Sequence, residues 1–508
     1  MSRLIVLLLS VIPACVFSTP SEKNNQTNAN SRNISEQQIQ TINQHIDEAE
    51  LKGLSGYVLV IVESKVIISR GIGKQSFELN QDNKADTIFD IGSNTKQFTA
   101  TAIMKLAEEG LLSVNQPLSD FFESIPPEKS KITIHHLLTH SAGFKESLGR
   151  DFETLTKKDF LQNSLNTPLE FNPGERYQYS NIGYSMLAAI IEEVSGLSYE
   201  AYVNKKLFKP VGMTQTGYLL PQWNMDKVAK GYHRGYRNIG TIVERYQGNG
   251  VSWNLVGNGG IQSSANDLNK WFIALQSGQI LSKSTIDTIL TKYVQYPDID
   301  WYYGYGWGNG LTKQGELLAG HNGSNGVFWS TLYWMPDREL FISFSSNAEM
   351  ESITGVAREI RRIASDPAYI PQKIDHNVYW EVANFTTTHE KVDIKALDKY
   401  LNNLPLIIND GNVLNRIGWW LIDQNKKQWA MALFEKNVSL FPEDGNLYDS
   451  LGEGYLSLGD IQKAKASFEQ ALRIAPSNDC HWCDNSKTQL SKLTDINGTI
   501  GGKLEGKK

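Results

Sequence analysis

Two pairs of apolar, β-branched runs set far apart in the chain constrain its fold more than any other feature. Tyr57 to Val62 and Val66 to Ile68 are joined by Glu63-Ser64-Lys65. Trp329 to Trp334 and Leu340 to Ser345 are joined around Pro336-Asp337. Each pair reads as a β-hairpin. Between them the pattern is largely helical, and ahead of them Ile39, Ile42, Ile46 and Ala49 have the spacing of an amphipathic opening helix. Hairpins at both ends with helices between predict one antiparallel sheet, closed by its first and last segments, with an inserted helical region. That is an α+β architecture rather than a series of βαβ units, and it occupies residues 34–366.

Three stretches inside this domain carry residue types suited to chemistry. The first is Phe89-Asp90-Ile91-Gly92-Ser93-Asn94-Thr95-Lys96-Gln97-Phe98, an extended entry and a glycine followed by a helix. Phe98, Ala102 and Leu106 keep helical spacing, and Gly110 closes the run as a C-cap. Ser93 then sits at the first turn, where backbone N–H groups and the positive end of the helix dipole face outward. Lys96, three residues on, returns over the same face within reach of the Ser93 hydroxyl. A serine is a poor nucleophile until a base takes its proton, and a desolvated lysine can do so. Alone, the tetrapeptide reads as a helix cap beside a solvated lysine, since Ser-x-x-Lys occurs by chance in most long proteins.

The second stretch, Tyr177 to Tyr184, follows the turn Asn172-Pro173-Gly174-Glu175. Tyr179 can shuttle a proton if a cation lowers its pKa, and the Asn181 amide can hold both lysine and substrate. Singly, these are a core aromatic and a capping Asn. The third, Gly320-His321-Asn322-Gly323-Ser324-Asn325-Gly326, precedes the aromatic strand. Its glycines would let an edge strand's backbone approach a substrate, with the Ser324 N–H aimed at a developing oxyanion. His321 could polarise the site or bind a substrate carboxylate; singly, it is an exposed histidine in a glycine-rich turn.

Ser93-Asn94-Thr95-Lys96, Tyr179-Ser180-Asn181 and His321-Asn322-Gly323, in this order, resemble the motifs of the serine β-lactamase and penicillin-binding-protein superfamily. The branch they resemble is that of class C β-lactamases with their esterase and D-aminopeptidase relatives. Ile134 to Phe144, Gly259 to Leu268 and Tyr303-Gly304-Tyr305-Gly306-Trp307 are also similar to that branch. The resemblance implies Ser93 as acylated nucleophile, Lys96 as its proton acceptor and Tyr179 as general acid/base. It implies Asn181, His321 and Gly323 as substrate-binding residues and the backbone N–H groups of Ser93 and Ser324 as oxyanion hole. His135, His136 and His140 are expected to pack and cap a helix beneath the site. β-Lactamases carry lysine, a permanent cation, where this chain has His321. The resemblance therefore leans toward esterases, D-peptidases and D-aminopeptidases, several of which have histidine there. No acidic Ω-loop signature of class A enzymes is visible.

After Asp366 the composition changes. Residues 367–391, with Pro367 and Pro371, read as a connector. Leu414, Ile417, Gly418, Leu421, Ala430, Phe434 and Pro442 recur thirty-four residues later as Tyr448, Leu451, Gly452, Tyr455, Ala464, Phe468 and Pro476. That period matches tetratricopeptide repeats, so 392–493 is expected to be an all-α repeat domain, with Ile394 to Leu404 and Asn485 to Leu493 as terminal helices. Such repeats offer a surface to a protein partner or a second copy. Cys480-His481-Trp482-Cys483 comes next, and a disulfide is favoured over a redox pair or a metal half-site, since no second ligand pair is visible. Residues 494–508 read as a flexible tail.

The first eighteen residues read as a signal peptide, with Arg3 ahead of a short apolar run, and 19–33 as a disordered polar tether. Ile12-Pro13-Ala14-Cys15 loosely resembles a lipoprotein box, so a membrane anchor would require lipidation of Cys15; secretion to the periplasm or beyond is favoured. A net charge of -6 offers no basic surface for nucleic acid. With three cysteines the fold does not rest on disulfides. The expected function is a secreted serine hydrolase without cofactor or metal, acting on an ester, amide or D-amino-acid-containing peptide. The alternative is a catalytically silent relative that binds cell-wall peptides or scaffolds partners.

Overall fold

The computed structural model describes residues 34–350, 353–403, 408, 411–475 and 480–501. The expected signal peptide and tether, including Cys15, lie outside the described residues.

The first hairpin is β1 (Gly56–Val62) and β2 (Lys65–Ile72). Its loop, Glu63-Ser64, has φ of 49° and 61°, the left-handed pair that matches the twist of a two-residue hairpin. Later in the chain come β3 (Val294–Gln295), β4 (Tyr302–Tyr303), β5 (Gly308–Leu311), β6 (Leu317–Ser324), β7 (Trp329–Met335) and β8 (Leu340–Ser346). All eight form one sheet in the order β2-β1-β8-β7-β6-β5-β4-β3, every neighbour antiparallel. The first hairpin pairs with the last strand along its whole length, from Gly56↔Ser346 to Val62↔Leu340, so the sheet closes as expected. β1 is buried on both faces. Tyr57, Leu59 and Ile61 enter one core, and Val58, Val60 and Val62 the other. That explains its unbroken apolar run.

Each face of the sheet carries helices. They are α1 (Glu36–Leu51), α2 (Thr95–Glu108), α3 (Asn181–Ser195), α4 (Ala265–Gln276) and, at the domain's end, α5 (Ile353–Ser365). α1 and α5 lie on one face, and α2, α3 and α4 on the other. Phe272 of α4 stacks on Phe341 of β8 with ring centroids 4.6 Å apart.

Residues 367–391 are more than a connector, because Val378–Thr388 forms a helix, α6. Proline-rich sequence ahead of it hid a short apolar periodicity that only docking reveals. Its Val382 and Phe385 face the repeats, while Trp380 lies where a Cβ on Gly53 would meet its ring at 2.6 Å. Asn377, its N-cap, donates to Arg234 O and Glu349 O at 3.2 Å.

Next come α7 (Ile394–Asn403), α8 (Asn412–Asp423), α9 (Lys427–Leu440), α10 (Gly445–Leu458) and α11 (Ile461–Ile474). In both repeats a glycine sits under a phenylalanine: a Cβ on Gly418 would meet Phe434 at 2.4 Å and one on Gly452 would meet Phe468 at 2.6 Å. Cys480 and Cys483 are disulfide-bonded at the start of α12 (Cys483–Gly501). This helix overruns the expected end at Leu493, so the tail expected from 494 is helical to Gly501. Its first turn is anchored on Asp449 by Asn485 and Ser486, and a helix once nucleated propagates readily. Residues 502–508 lie outside the described residues.

Gly452→Val should overpack the contact with Phe468 and lower unfolding stability by roughly 1–3 kcal/mol. Urea denaturation monitored by circular dichroism checks this, and an unchanged or raised midpoint would contradict the packing.

Candidate active site

The site forms where α2 begins. After the short strand Ile88–Asp90, Gly92 with a φ of +51° turns the chain, and a single helical turn, Gly92–Asn94, leads into α2. Several bonds pin this turn. Thr95 Oγ1 donates to Gly92 O at 2.8 Å and accepts from Ile261 N–H at 3.1 Å; Asn94 Nδ2 donates to Ser330 O at 3.2 Å. Ser93 stays half-exposed at the surface of a cleft, while Lys96 is fully buried below it.

Lys96 Nζ lies 2.7 Å from Asn181 Oδ1, 2.7 Å from Asn258 O and 3.1 Å from Ser93 Oγ. Among the described residues no carboxylate pairs with it, and Asp151 and Glu146 act on it only from a distance. Burial drives its pKa well below the ordinary lysine value. In its neutral form such an amine has two N–H bonds and one lone pair; with the two short acceptors taking the hydrogens, the lone pair would be left for the Ser93 hydroxyl.

Tyr179 stands over the same amine, its ring centroid 4.7 Å from Nζ, and Ser93 is a neighbour that favours ionisation of its phenol. The condition named for Tyr179, a cation lowering its pKa, is not met: burial is the largest influence and raises it, so the resting phenol keeps its proton. Asn181 opens α3, with Ser180 as N-cap accepting from Gly183 N–H. His140, behind Tyr179 at 4.4 Å between ring centroids, accepts the Ser180 N–H at 3.0 Å through Nδ1. His136 and Thr133 cap the helix Ile134–Leu138 reciprocally, and His135 bonds Tyr305 OH at 2.8 Å.

The third stretch arrives as the end of β6. β5 pairs with β6 only from Leu317 to Gly320, so His321 to Ser324 has one free edge, and that edge lies against the nucleophile turn. A Cβ at Gly323 would stand 1.9 Å from Ile91 O and 2.7 Å from Ser93 N, and one at Gly92 2.5 Å from Ser324 N. Two glycines therefore allow the contact that brings the Ser93 and Ser324 N–H groups to one place. Gly306 does similar service below, where a Cβ would meet Lys96 O at 2.9 Å.

His321 lines the cleft but is no cation. Its Nδ1 donates to Asn322 O at 2.7 Å, which leaves Nε2 to accept from Tyr303 OH at 3.0 Å. Burial is the largest influence and pushes its pKa down to about 3. Around it is a cavity of about 420 Å³ lined by Tyr177, Tyr179, Tyr296, Trp301, His321 and Tyr333. On the other side of Ser93 a smaller cavity of about 40 Å³ is bordered by Asp90, Asp151 and Asn325.

Ser93, Lys96, Tyr179, Asn181, His321, Gly323 and Ser324 thus meet at one cleft; Cys480 and Cys483 lie in the repeat domain. Sequence reasoning missed Asn258, whose main-chain carbonyl carries the contact, although the family-like stretch Gly259 to Leu268 begins at the next residue. It also missed Tyr303, within the family-like Tyr-Gly-Tyr-Gly-Trp, and Asp90. Among the described residues no cluster of three or more His, Cys, Asp or Glu could hold a metal ion.

Residues 39–364 match the family described as Beta-lactamase, and residues 445–478 match the tetratricopeptide repeat. The chain is 26% identical over 370 residues to Protein flp of Staphylococcus aureus, covering 70% of each. It is similar in structure to the octameric penicillin-binding protein homologue from Pyrococcus abyssi, with 28% identity and a TM-score of 0.56 over 69% of this chain and 82% of that one. For the penicillin-binding protein from Bacillus halodurans the values are 27% and 0.55, over 64% and 98%.

Gly323→Ala should push β6 away from the nucleophile turn and slow Ser93 acylation on the order of a hundredfold, as loss of one oxyanion donor does. Stopped-flow acylation rates check this; a rate within about twofold of wild type would show that the close approach is dispensable.

Proposed function

The chain belongs to the beta-lactamase family, and on that footing we propose a secreted serine hydrolase that forms an acyl-enzyme on Ser93 with an ester, amide or D-amino-acid-containing peptide. The observation that carries this is the buried Lys96 amine, 3.1 Å from Ser93 Oγ and held at 2.7 Å by both Asn181 Oδ1 and Asn258 O. Ser93 Oγ bonds to the substrate carbonyl carbon and its proton passes to Lys96 Nζ. The oxyanion that forms sits on the Ser93 and Ser324 N–H groups. On collapse the carbonyl–leaving-group bond breaks, and Tyr179 OH gives its proton to the leaving group. The tyrosinate then recovers a proton from the Lys96 ammonium. Water repeats the cycle to release the acid, with Asn181 holding Lys96 throughout.

Substrate preference comes from charge. A penicillin or a C-terminal D-alanine presents a carboxylate, which is held best by a cation. His321 is neutral with both nitrogens engaged, and the cavity beside it is lined by aromatic rings. This supports the esterase and D-aminopeptidase readings over efficient β-lactam hydrolysis. The disulfide at Cys480 and Cys483 and the leader expected at 1–18 support export to an oxidising compartment. The repeat domain, held to the catalytic domain by α6, is proposed to receive a protein partner.

A fluorophosphonate probe should label the wild-type protein stoichiometrically and Ser93→Ala not at all; equal labelling of both, or of neither, would favour the silent relative. On a substrate panel, p-nitrophenyl esters and D-amino amides should turn over faster than nitrocefin or D-Ala-D-Ala peptides. His321→Lys should raise acylation by penicillin roughly tenfold, the worth of one charged hydrogen bond, and no gain would mean that the carboxylate is held elsewhere.

A further inference from the structure

Asp90 is an anion in an unusual place. It is 1% exposed, and among the described residues no lysine, arginine or histidine pairs with it. Burial raises its carboxyl pKa to about 6, so at neutral pH it remains mostly ionised. Its two oxygens do different things. Oδ1 accepts from Gly92 N–H at 2.6 Å, in the nucleophile turn. Oδ2 accepts from Asn325 Nδ2 at 2.9 Å, at the end of β6. Asn325 Oδ1 in turn accepts from Val327 N–H at 3.1 Å and Phe328 N–H at 2.9 Å.

Gly92 precedes Ser93 and Asn325 follows Ser324, so the carboxylate ties together the residues flanking the two oxyanion donors. We infer that Asp90, acting through Gly92 and Asn325, is the positioning residue that fixes the distance between the Ser93 and Ser324 N–H groups. The inference rests on the proposed role of those groups as oxyanion hole. Only an acceptor at both oxygens fits. An asparagine in place of Asp90 would turn an N–H₂ toward either the Gly92 N–H or the Asn325 N–H₂. Asn325 cannot flip to answer it, because its own oxygen is engaged by two backbone N–H groups. A buried charge without a cation is costly in stability. Its use here is to hold two backbone segments that the glycines at 92 and 323 bring together but do not fasten.

The polarity of this clamp can be exchanged. In Asp90→Asn the pair is broken. In Asp90→Asn/Asn325→Asp the amide introduced at position 90 accepts from Gly92 N–H and donates to the carboxylate introduced at position 325. The other oxygen of that carboxylate takes the Val327 and Phe328 N–H groups. Asp90→Asn is expected to lower kcat on a p-nitrophenyl ester roughly ten- to a hundredfold with KM changed by less than about threefold, and the double variant to recover most of the loss. An unchanged kcat in Asp90→Asn, or a double variant as slow as the single one, overturns the inference. Hydrogen exchange supplies a readout independent of turnover, with folding of each variant checked by circular dichroism. Exchange at 92–94 and at 324–328 should quicken together in Asp90→Asn and slow together in the double variant. If only one segment responds, the clamp is overturned whatever the activity. If both respond in a protein that Ser93 does not make catalytic, the clamp stands and the hydrolase reading fails.

Discussion

A lysine amine buried without a carboxylate partner is the condition on which the rest of this structure depends. Desolvation disfavours the ammonium, and nothing at ion-pair distance among the described residues restores it. Asn181 Oδ1 and Asn258 O then orient the neutral amine rather than neutralise it. The same burial acts oppositely on Tyr179, whose phenol is held protonated. One environment therefore separates the two groups into an acceptor beside Ser93 and a donor whose ring lies over that acceptor.

Keeping that environment requires segments distant in the chain to meet closely. The nucleophile turn lies against the free edge of β6 because β5 stops at Gly320, and because Gly92 and Gly323 lack the Cβ atoms that would collide. β6 is fixed in turn by pairing with β7 from Ala319↔Trp334 to Ser324↔Trp329, and β7 by β8, which the first hairpin seals. Sheet closure and oxyanion placement are thus parts of one constraint. The repeats join it through α6, whose Trp380 covers Gly53 beside the first hairpin while Val382 and Phe385 pack with the repeat core.

Much of this was legible because local spacing encodes it. Ser-x-x-Lys puts two groups on one helical face, the β1 and β8 runs announce a doubly buried sheet centre, and Gly418 and Gly452 repeat the contact they make with Phe434 and Phe468. What stayed hidden depends on meetings across the chain. Asp90 and Asn325 are 235 residues apart, and each lies in a chemical stretch just outside its motif, where nothing local marks it as a partner of the other. Asn258 contributes a carbonyl, which no side-chain pattern marks. β3 and β4 are two residues each, too short for alternation to show, and α6 was masked by the prolines before it. The ring partners that hold His321, Tyr303 OH and Asn322 O, become visible only in three dimensions.

The most direct test of the account is the pH dependence of the Ser93 acylation rate, measured with a fluorophosphonate in wild type and Lys96→Arg. A buried lysine without a carboxylate partner predicts that the wild-type rate rises through an apparent pKa well below that of free lysine. Lys96→Arg, permanently charged, should be inactive at every pH. A wild-type rate that climbs only near the ordinary lysine pKa of about 10.4, or an arginine variant as fast as wild type, would contradict it.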